Sequence, residues 1–233
     1  MKLFLGLSIY SQVPALFMQC LLALQKNKPC DMEVHVSQGD GIARSRNVLT
    51  AEFLRSDCDT MLQIDCDLIF SSDHVARIIS HNVPVVGGMY ALKQQGPLAW
   101  CVNTLPNQPP ANENGLQPVR YVGTGFICVQ RHVFDKMKSA HPESNYRADY
   151  GGRHPEFDYW PMGVYRSGPL DEGRYLSEDW YFCQRWLDLG GTVYADCGTV
   201  LKHIGPAIFP LKTQESELNL GATPAPEVDG PAI

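Results

Sequence analysis

Four short strand-like segments, Leu3 to Ile9, Met32 to Val36, Met61 to Ile64 and Val83 to Val86, recur through the first 90 residues with helix-like stretches between them. Short apolar runs of this kind read as strands, and continuous ones as strands covered on both faces. Pro14 to about Gln25 reads as a helix, with proline near its first turn and Leu16, Cys20, Ala23 and Leu24 on one side. Asp40 or Gly41 opens a second helix through about Leu54, and Ser72 caps a short third one to about Ser80. Strands alternating with helices at this spacing specify a predominantly parallel sheet with helices on both faces.

The third segment carries the same triplet, Asp-Cys-Asp, at both ends: Asp57-Cys58-Asp59 before it and Asp65-Cys66-Asp67 after it. Four to five extended residues separate the two copies by on the order of 15 Å. Open α/β sheets bind ligands beyond the carboxyl ends of their strands. The second copy lies at that end, so the first reads as a solvated turn and the second as a candidate site. Adjacent strand residues face opposite ways, so Asp65 and Asp67 point the same way if the extended conformation persists, and paired carboxylates suit Mg²⁺ or Mn²⁺.

The second half differs in texture. Proline and glycine become frequent between 96 and 118, and then "VRYVGTGFICVQRHVFDKM" reads as a strand pair around a Gly-Thr-Gly turn with a helix from Arg131. Residues 141 to 176 read as a long loop rich in Tyr, Arg, Gly and His, of a length that is usually functional in a compact domain. "SEDWYFCQRWLDLGG" follows as a helix with Ser177 at its N-cap, Glu178 and Asp179 in the first turn and Gly190-Gly191 as its stop. A strand from Thr192 to Ala195 and the segment "TVLKHIG", with His203, close the ordered part.

The chain has 233 residues and a formal net charge of −6, which argues against a nonspecific electrostatic grip on nucleic acid or an anionic membrane. No apolar run approaches the length of a membrane span. "MKLFLGLSIY" reads as a first buried strand rather than a secretory signal, because polar residues and Pro14 interrupt it before any cleavage site. Eight cysteines without a Cys-x-x-Cys pair fit reduced thiols in a cytoplasmic protein.

Taken in order, "RNVLTAEFLRSDCDTMLQIDCDLIF", "VPVVGGMYALK", "YVGTGFICVQRHVFDKM", "SEDWYFCQRW" and "HIG" resemble the nucleotide-sugar-dependent glycosyltransferases of the GT-A fold, over roughly residues 3 to 209. The resemblance implies an α/β, Rossmann-like central sheet, mostly parallel and flanked by helices, with a smaller antiparallel part on the acceptor side. It implies one domain over 1–212, with a nucleotide-binding half to about 95 and an acceptor-side half after it, and a flexible tail at 213–233. By carry-over, Asp67 and His203 bind Mn²⁺ or Mg²⁺, with Asp65 binding it through water or gripping the ribose of a nucleoside-diphosphate sugar. Asp179 is the acceptor base of an inverting enzyme, with Glu178 the second choice; in a retaining enzyme both orient hydroxyls instead. Ser8, Tyr10, Asp40, Arg44 and Arg46 lie near the nucleoside, although helical positions 44 and 46 diverge by about 200° and only one of them faces the site. Lys93 touches phosphate, Gly123, Thr124 and Gly125 let backbone approach a sugar, and Tyr159 and Trp160 form an acceptor platform. The acceptor is a hydroxyl of a glycan, a small molecule or a modified nucleic-acid base.

Three other activities compete with this one. A nucleotidyltransferase shares the fold type, but "LSIYSQVP" lacks a basic, glycine-rich phosphate loop. A non-catalytic nucleotide- or carbohydrate-binding protein has no need of Asp65, Asp67, Asp179 and His203 together. A glycoside hydrolase pairs carboxylates without the metal-like trio.

Overall fold

The computed structural model describes residues 2–39, 41–94, 98–104, 107, 109–147, 155–166, 173–205 and 208–209. Asp40 and the 213–233 tail lie outside the described residues. The first half runs β1 (Lys2–Ile9), α1 (Ala15–Lys26), β2 (Asp31–Gln38), α2 (Ile42–Arg55), β3 (Thr60–Asp65), β4 (Leu68–Ile69), α3 (Ser72–Ser80) and β5 (Val85–Tyr90). It continues with β6 (Val102–Asn103), β7 (Leu116–Val119), β8 (Tyr121–Val122), β9 (Phe126–Gln130) and α4 (Arg131–Ala140). A 3₁₀ turn at Pro142–Ser144 leads to β10 (Asn145–Arg147), β11 (Pro155–Phe157), β12 (Gly163–Tyr165) and β13 (Arg174–Leu176), and then to α5 (Glu178–Asp188), β14 (Val193–Ile204) and β15 (Ile208–Phe209).

The central sheet has the order β15-β14-β5-β9-β3-β1-β2, with β4 and β7 also paired to β14. β1 pairs in parallel with β2 and β3, and β5 with β14; β9 is antiparallel to both β3 and β5 and joins the two parallel groups. Side chains alternate across it. Phe4, Met61, Ile127 and Val129 join a core with Leu49, Phe53, Phe134 and Phe182, from α2, α4 and α5. Leu3, Leu5, Leu7, Leu62 and Ile64 join a second core with Phe17, Val75 and Ile78, from α1 and α3. The expected class is therefore the one observed: a mostly parallel sheet flanked by helices, with smaller antiparallel pairs, in the GT-A, Rossmann-like arrangement.

Several local expectations need correction. The buried stripe of α1 is Phe17, Cys20 and Leu24, spaced i, i+3, i+7, whereas Leu16 and Ala23 face outward. α3 is capped by Ser71, not Ser72: its hydroxyl accepts from the His74 amide, and the His74 ring returns the bond to the Ser71 amide. The fourth strand is shifted to Val85–Tyr90 because Pro84 has no amide proton for the ladder. β8 and β9 do not pair across the Gly-Thr-Gly turn; β8 pairs with β6, and β9 enters the main sheet. The described parts of the 141–176 segment form two antiparallel ribbons, β10-β11 and β12-β13. "VYADCGTVLKHI" is one long strand, irregular between Asp196 and Val200, rather than a strand from Thr192 and a separate segment.

All eight cysteines are free thiols, and among the described residues no helix is long and apolar enough to cross a membrane. Where β5 meets β8 the approach requires glycine: a Cβ on Gly87 falls 2.8 Å from the Val122 Cβ. Gly87→Ala is expected to lower stability by about 1–3 kcal/mol in urea unfolding, whereas Gly163→Ala, with nothing within 4 Å of the added carbon, stays within about 0.5 kcal/mol of wild type. Equal effects would remove this packing argument.

Candidate functional site

The two Asp-Cys-Asp triplets sit at opposite ends of β3 and have different surroundings. The first closes the amino end of β1. The Lys2 amide donates to Asp59 Oδ2 at 2.8 Å, and the Lys2 ammonium lies 2.5 Å from both Asp57 Oδ1 and Glu33 Oε1. Among the described residues, Glu33, Asp57 and Cys58 are the only trio of His, Cys, Asp or Glu whose ligand atoms gather within 4.8 Å. Such a trio has donors for a divalent ion, but the Lys2 ammonium already neutralises its carboxylates, and burial raises the Cys58 thiol pKa, against the thiolate that a metal needs.

The second triplet lies at the carboxyl end of β3, and strand register determines its neighbours. Ser8 pairs with Asp65 across β1 and β3. Further along, β4 runs antiparallel to β14 with Leu68 opposite His203, and the Ile204 amide donates to the Asp67 carbonyl at 2.7 Å. Two segments more than 130 residues apart are thereby stitched together, placing His203 Nε2 3.4 Å from Asp67 Oδ2. On the other side of the ring, Nδ1 lies 2.8 Å from the Ala91 carbonyl oxygen. A carbonyl only accepts, so Nδ1 carries the proton. Nε2 and the carboxylate then require a proton or a cation between them, and His203 has the orientation of a metal-binding imidazole. The Lys93 ammonium donates to the same Asp67 oxygen. Burial pushes the Asp67 carboxyl up, but His203 and Lys93 outweigh it and hold the group below its ordinary range.

Asp65 does not join this cluster. Its Oδ2 accepts from Arg46 Nη2 at 3.0 Å. Arg46, only 1% exposed, also donates from Nη1 to Gln63 Oε1 at 3.0 Å and from Nε to Glu178 Oε1 at 3.3 Å. One guanidinium thus ties α2 to β3 and to the first turn of α5. Burial opposes its charge, but Asp65 and Glu178 more than compensate and raise its pKa. Arg44, by contrast, is exposed on another side of α2, the divergence that helical geometry demands.

Ser8, Ile9, Tyr10, Ile42, Ser45, Asp65, Cys66 and Asp67 line a cleft of about 140 Å³. Three of its polar atoms, Ser8 Oγ, Ser45 Oγ and Asp65 Oδ1, are buried and have no hydrogen-bond partner. Buried polar atoms are normally paired, and each one left alone costs about 1–3 kcal/mol. Three in one cleft, whose walls are otherwise largely apolar and which lies at the carboxyl ends of β1 and β3, fit a ligand that carries hydroxyls on an apolar frame. Sequence reasoning missed Ser45 and Gln63. The signal for Ser45 is the helical spacing of Ile42, Ser45, Arg46 and Leu49, which puts them on one side of α2.

At the start of α5, Glu178 is turned into the Arg46 pair and is 9% exposed. Asp179 remains half-buried; its Oδ1 accepts from the Trp180 amide at 2.8 Å and from the Ser177 hydroxyl. Burial, and then the neighbouring Glu178 charge, raise the pKa of Asp179. The Gly-Thr-Gly turn packs against Tyr90: the Gly125 amide donates to the Tyr90 hydroxyl at 2.8 Å, and a Cβ on Gly123 falls 2.3 Å from that oxygen. The Gly125 carbonyl in turn accepts from the Asp65 amide at 2.8 Å. These glycines and the buried Thr124 therefore hold Asp65 and Tyr90 in place, and their close contact is with protein.

Tyr159 and Trp160 do not form an exposed platform. They are 2% and 0% exposed, with Trp160 stacked on Phe182 at 4.0 Å and donating to Thr50 Oγ1, and Tyr159 edge-on to Phe134. Asn47 Oδ1 accepts from both of their amides and pins the segment to α2. A side chain that fills the core offers no ring face to a sugar.

No family model matches the sequence, and no curated protein matches it. Among solved structures, A197 from STIV is 16% identical, covering 92% of this chain and 100% of that one, with a TM-score of 0.50. GalNAc-T7, solved with UDP, GalNAc and Mn2+, is 9% identical over 86% of this chain and 44% of its own length, with a TM-score of 0.49. At these identities the likeness is one of fold.

Removing the Arg46 charge leaves two carboxylates facing each other in a dry interior. Arg46→Met is expected to cost about 3–5 kcal/mol at pH 7. Burial already raises the Asp65 carboxyl against the pull of Arg46, and losing that guanidinium raises it further, so the deficit grows as pH rises through the ordinary carboxylate range and shrinks as it falls. Urea unfolding at pH 5 and pH 8 measures this, and a deficit below about 1 kcal/mol, or one independent of pH, is the contrary result.

Proposed function

We propose that the protein is a metal-dependent glycosyltransferase that moves a sugar from a nucleoside-diphosphate sugar to a hydroxyl acceptor. The observation that carries this reading is the cleft at the carboxyl ends of β1 and β3, where three unpartnered buried polar atoms lie beside the Asp67–His203 pair. The cleft matches a ribose and its base in chemistry, and the neighbouring pair matches a divalent ion. Asp67 and His203 would hold Mn²⁺ or Mg²⁺, with Asp65 reaching it only through water because Arg46 occupies one of its oxygens. Bound there, the ion would supply the positive charge that a departing diphosphate requires.

The residues of the chain do the rest. Ser8, Ser45 and Asp65 receive the donor's hydroxyls, with Tyr10 and Ile42 as apolar walls. Lys93, beside Asp67, faces the diphosphate. Asp179 takes the proton of the attacking acceptor hydroxyl, a role suited to a carboxylate whose pKa is raised by burial. Glu178 keeps α5 anchored through Arg46 and thereby fixes where Asp179 stands.

Release of nucleoside diphosphate from a panel of nucleotide sugars, with candidate acceptors and Mn²⁺, tests the proposal. Asp67→Ala is expected to abolish metal-dependent release, while Asp59→Ala, at the other end of β3, stays near wild type. Asp179→Asn is expected to slow turnover by about 10²–10⁴-fold with donor affinity little changed. Equal losses in Asp67→Ala and Asp59→Ala, or full turnover in Asp179→Asn, would contradict the assignment.

A further inference from the structure

Lys93 stands in an unusual place. Its ammonium donates to Asp67 Oδ2, the same oxygen that lies 3.4 Å from His203 Nε2. An ion held jointly by Asp67 and His203 would use the oxygen that the ammonium holds, and the two cations cannot share so small a space without strong repulsion. We propose that Lys93 is the built-in counter-cation of the metal site, so that a divalent ion enters by exchange with the Lys93 ammonium and the displaced ammonium becomes a ligand for the donor's diphosphate. This rests on the metal-dependent reading above and adds to it a coupling between metal and diphosphate.

Three features make the exchange feasible. The pair is part-exposed, with 31% of the Lys93 side chain and 36% of that of Asp67 accessible, so breaking it costs little. The backbone beneath it is fixed: the Leu92 amide donates to the Ala99 carbonyl at 2.8 Å, and the Cys101 amide to the Tyr90 carbonyl at 2.9 Å. Only the side chain has to turn. A lysine also suits the task, as a point charge on a flexible four-carbon stem that can leave one anion for another, where a planar guanidinium would hold its carboxylate in a fixed geometry. Once the metal neutralises Asp67, the free ammonium has lost its anion, and an incoming diphosphate replaces it. Metal and diphosphate then bind with positive coupling, and linkage requires the same factor in both directions.

The test is Mn²⁺ titration of wild type, Lys93→Met and Lys93→Arg at low ionic strength, by calorimetry and by the electron paramagnetic resonance of the free ion. It is repeated with inorganic pyrophosphate, whose own binding of Mn²⁺ is common to all three proteins. Lys93→Met is expected to bind Mn²⁺ alone about three- to tenfold more tightly, because the competing cation is gone, and to lose most of the pyrophosphate coupling. Lys93→Arg keeps the charge and binds Mn²⁺ no more tightly than wild type, which separates loss of charge from damage to the fold. Unchanged or weaker Mn²⁺ binding by Lys93→Met overturns the counter-cation while leaving the metal reading intact. Absence of Mn²⁺ binding in all three proteins removes both.

Discussion

The buried guanidinium of Arg46 is the interaction on which the site depends. It reaches Gln63 and Asp65 on β3 and Glu178 at the start of α5, and so joins the early strands to α5 through one charge. A buried ion pair is seldom a net source of stability, since desolvation offsets much of the attraction. Its effect here is on placement. With Arg46 engaged, one oxygen of Asp65 is fixed and the other lies in the cleft without a partner, while Glu178 holds the first turn of α5, the turn that carries Asp179. The neighbouring Asn47 adds the third connection, pinning the segment around Tyr159 and Trp160 to the same helix.

The structure accepts local cost where the proposed chemistry lies. Three unpartnered polar atoms line one cleft, and His203 Nε2 faces a carboxylate oxygen at 3.4 Å. None of these arrangements is favourable without a ligand, a proton or a cation. Of the six unpartnered buried side-chain atoms among the described residues, the other three, on His81, His141 and Tyr159, do not line this cleft, and the buried Asp196 carboxylate accepts from Arg77, Thr199 and the Gly198 amide. Three unpartnered atoms gathered in one cleft are what a binding site built before its ligand arrives is expected to show.

Much of the fold was legible because strand and helix periodicities are local. The alternation through Tyr90 predicts the parallel strands, and the strand-end argument separates the two Asp-Cys-Asp triplets without any contact information. What sequence could not show depends on register and on distant partners. The resemblance joins His203 to Asp67, but the pairing of β14 with β4 that brings them together is encoded within neither segment. Trp160 and Tyr159 read as exposed because they fall in a polar, glycine-rich stretch, yet Asn47, Thr50, Phe134 and Phe182 bury them. The Gly-Thr-Gly turn has a packing reason that its own residues do not display, the Tyr90 hydroxyl thirty-five residues before Gly125.

The central claim is that the strand-end cleft and the Asp67–His203 pair act together on a nucleotide donor. Calorimetric titration of the purified protein with a panel of nucleoside diphosphates, once with Mn²⁺ and once with a chelator, tests it most directly. The account predicts that at least one nucleoside diphosphate binds with Mn²⁺ and that chelation abolishes or strongly weakens this binding. Binding of equal strength with and without the metal, or no binding across the panel, would contradict it.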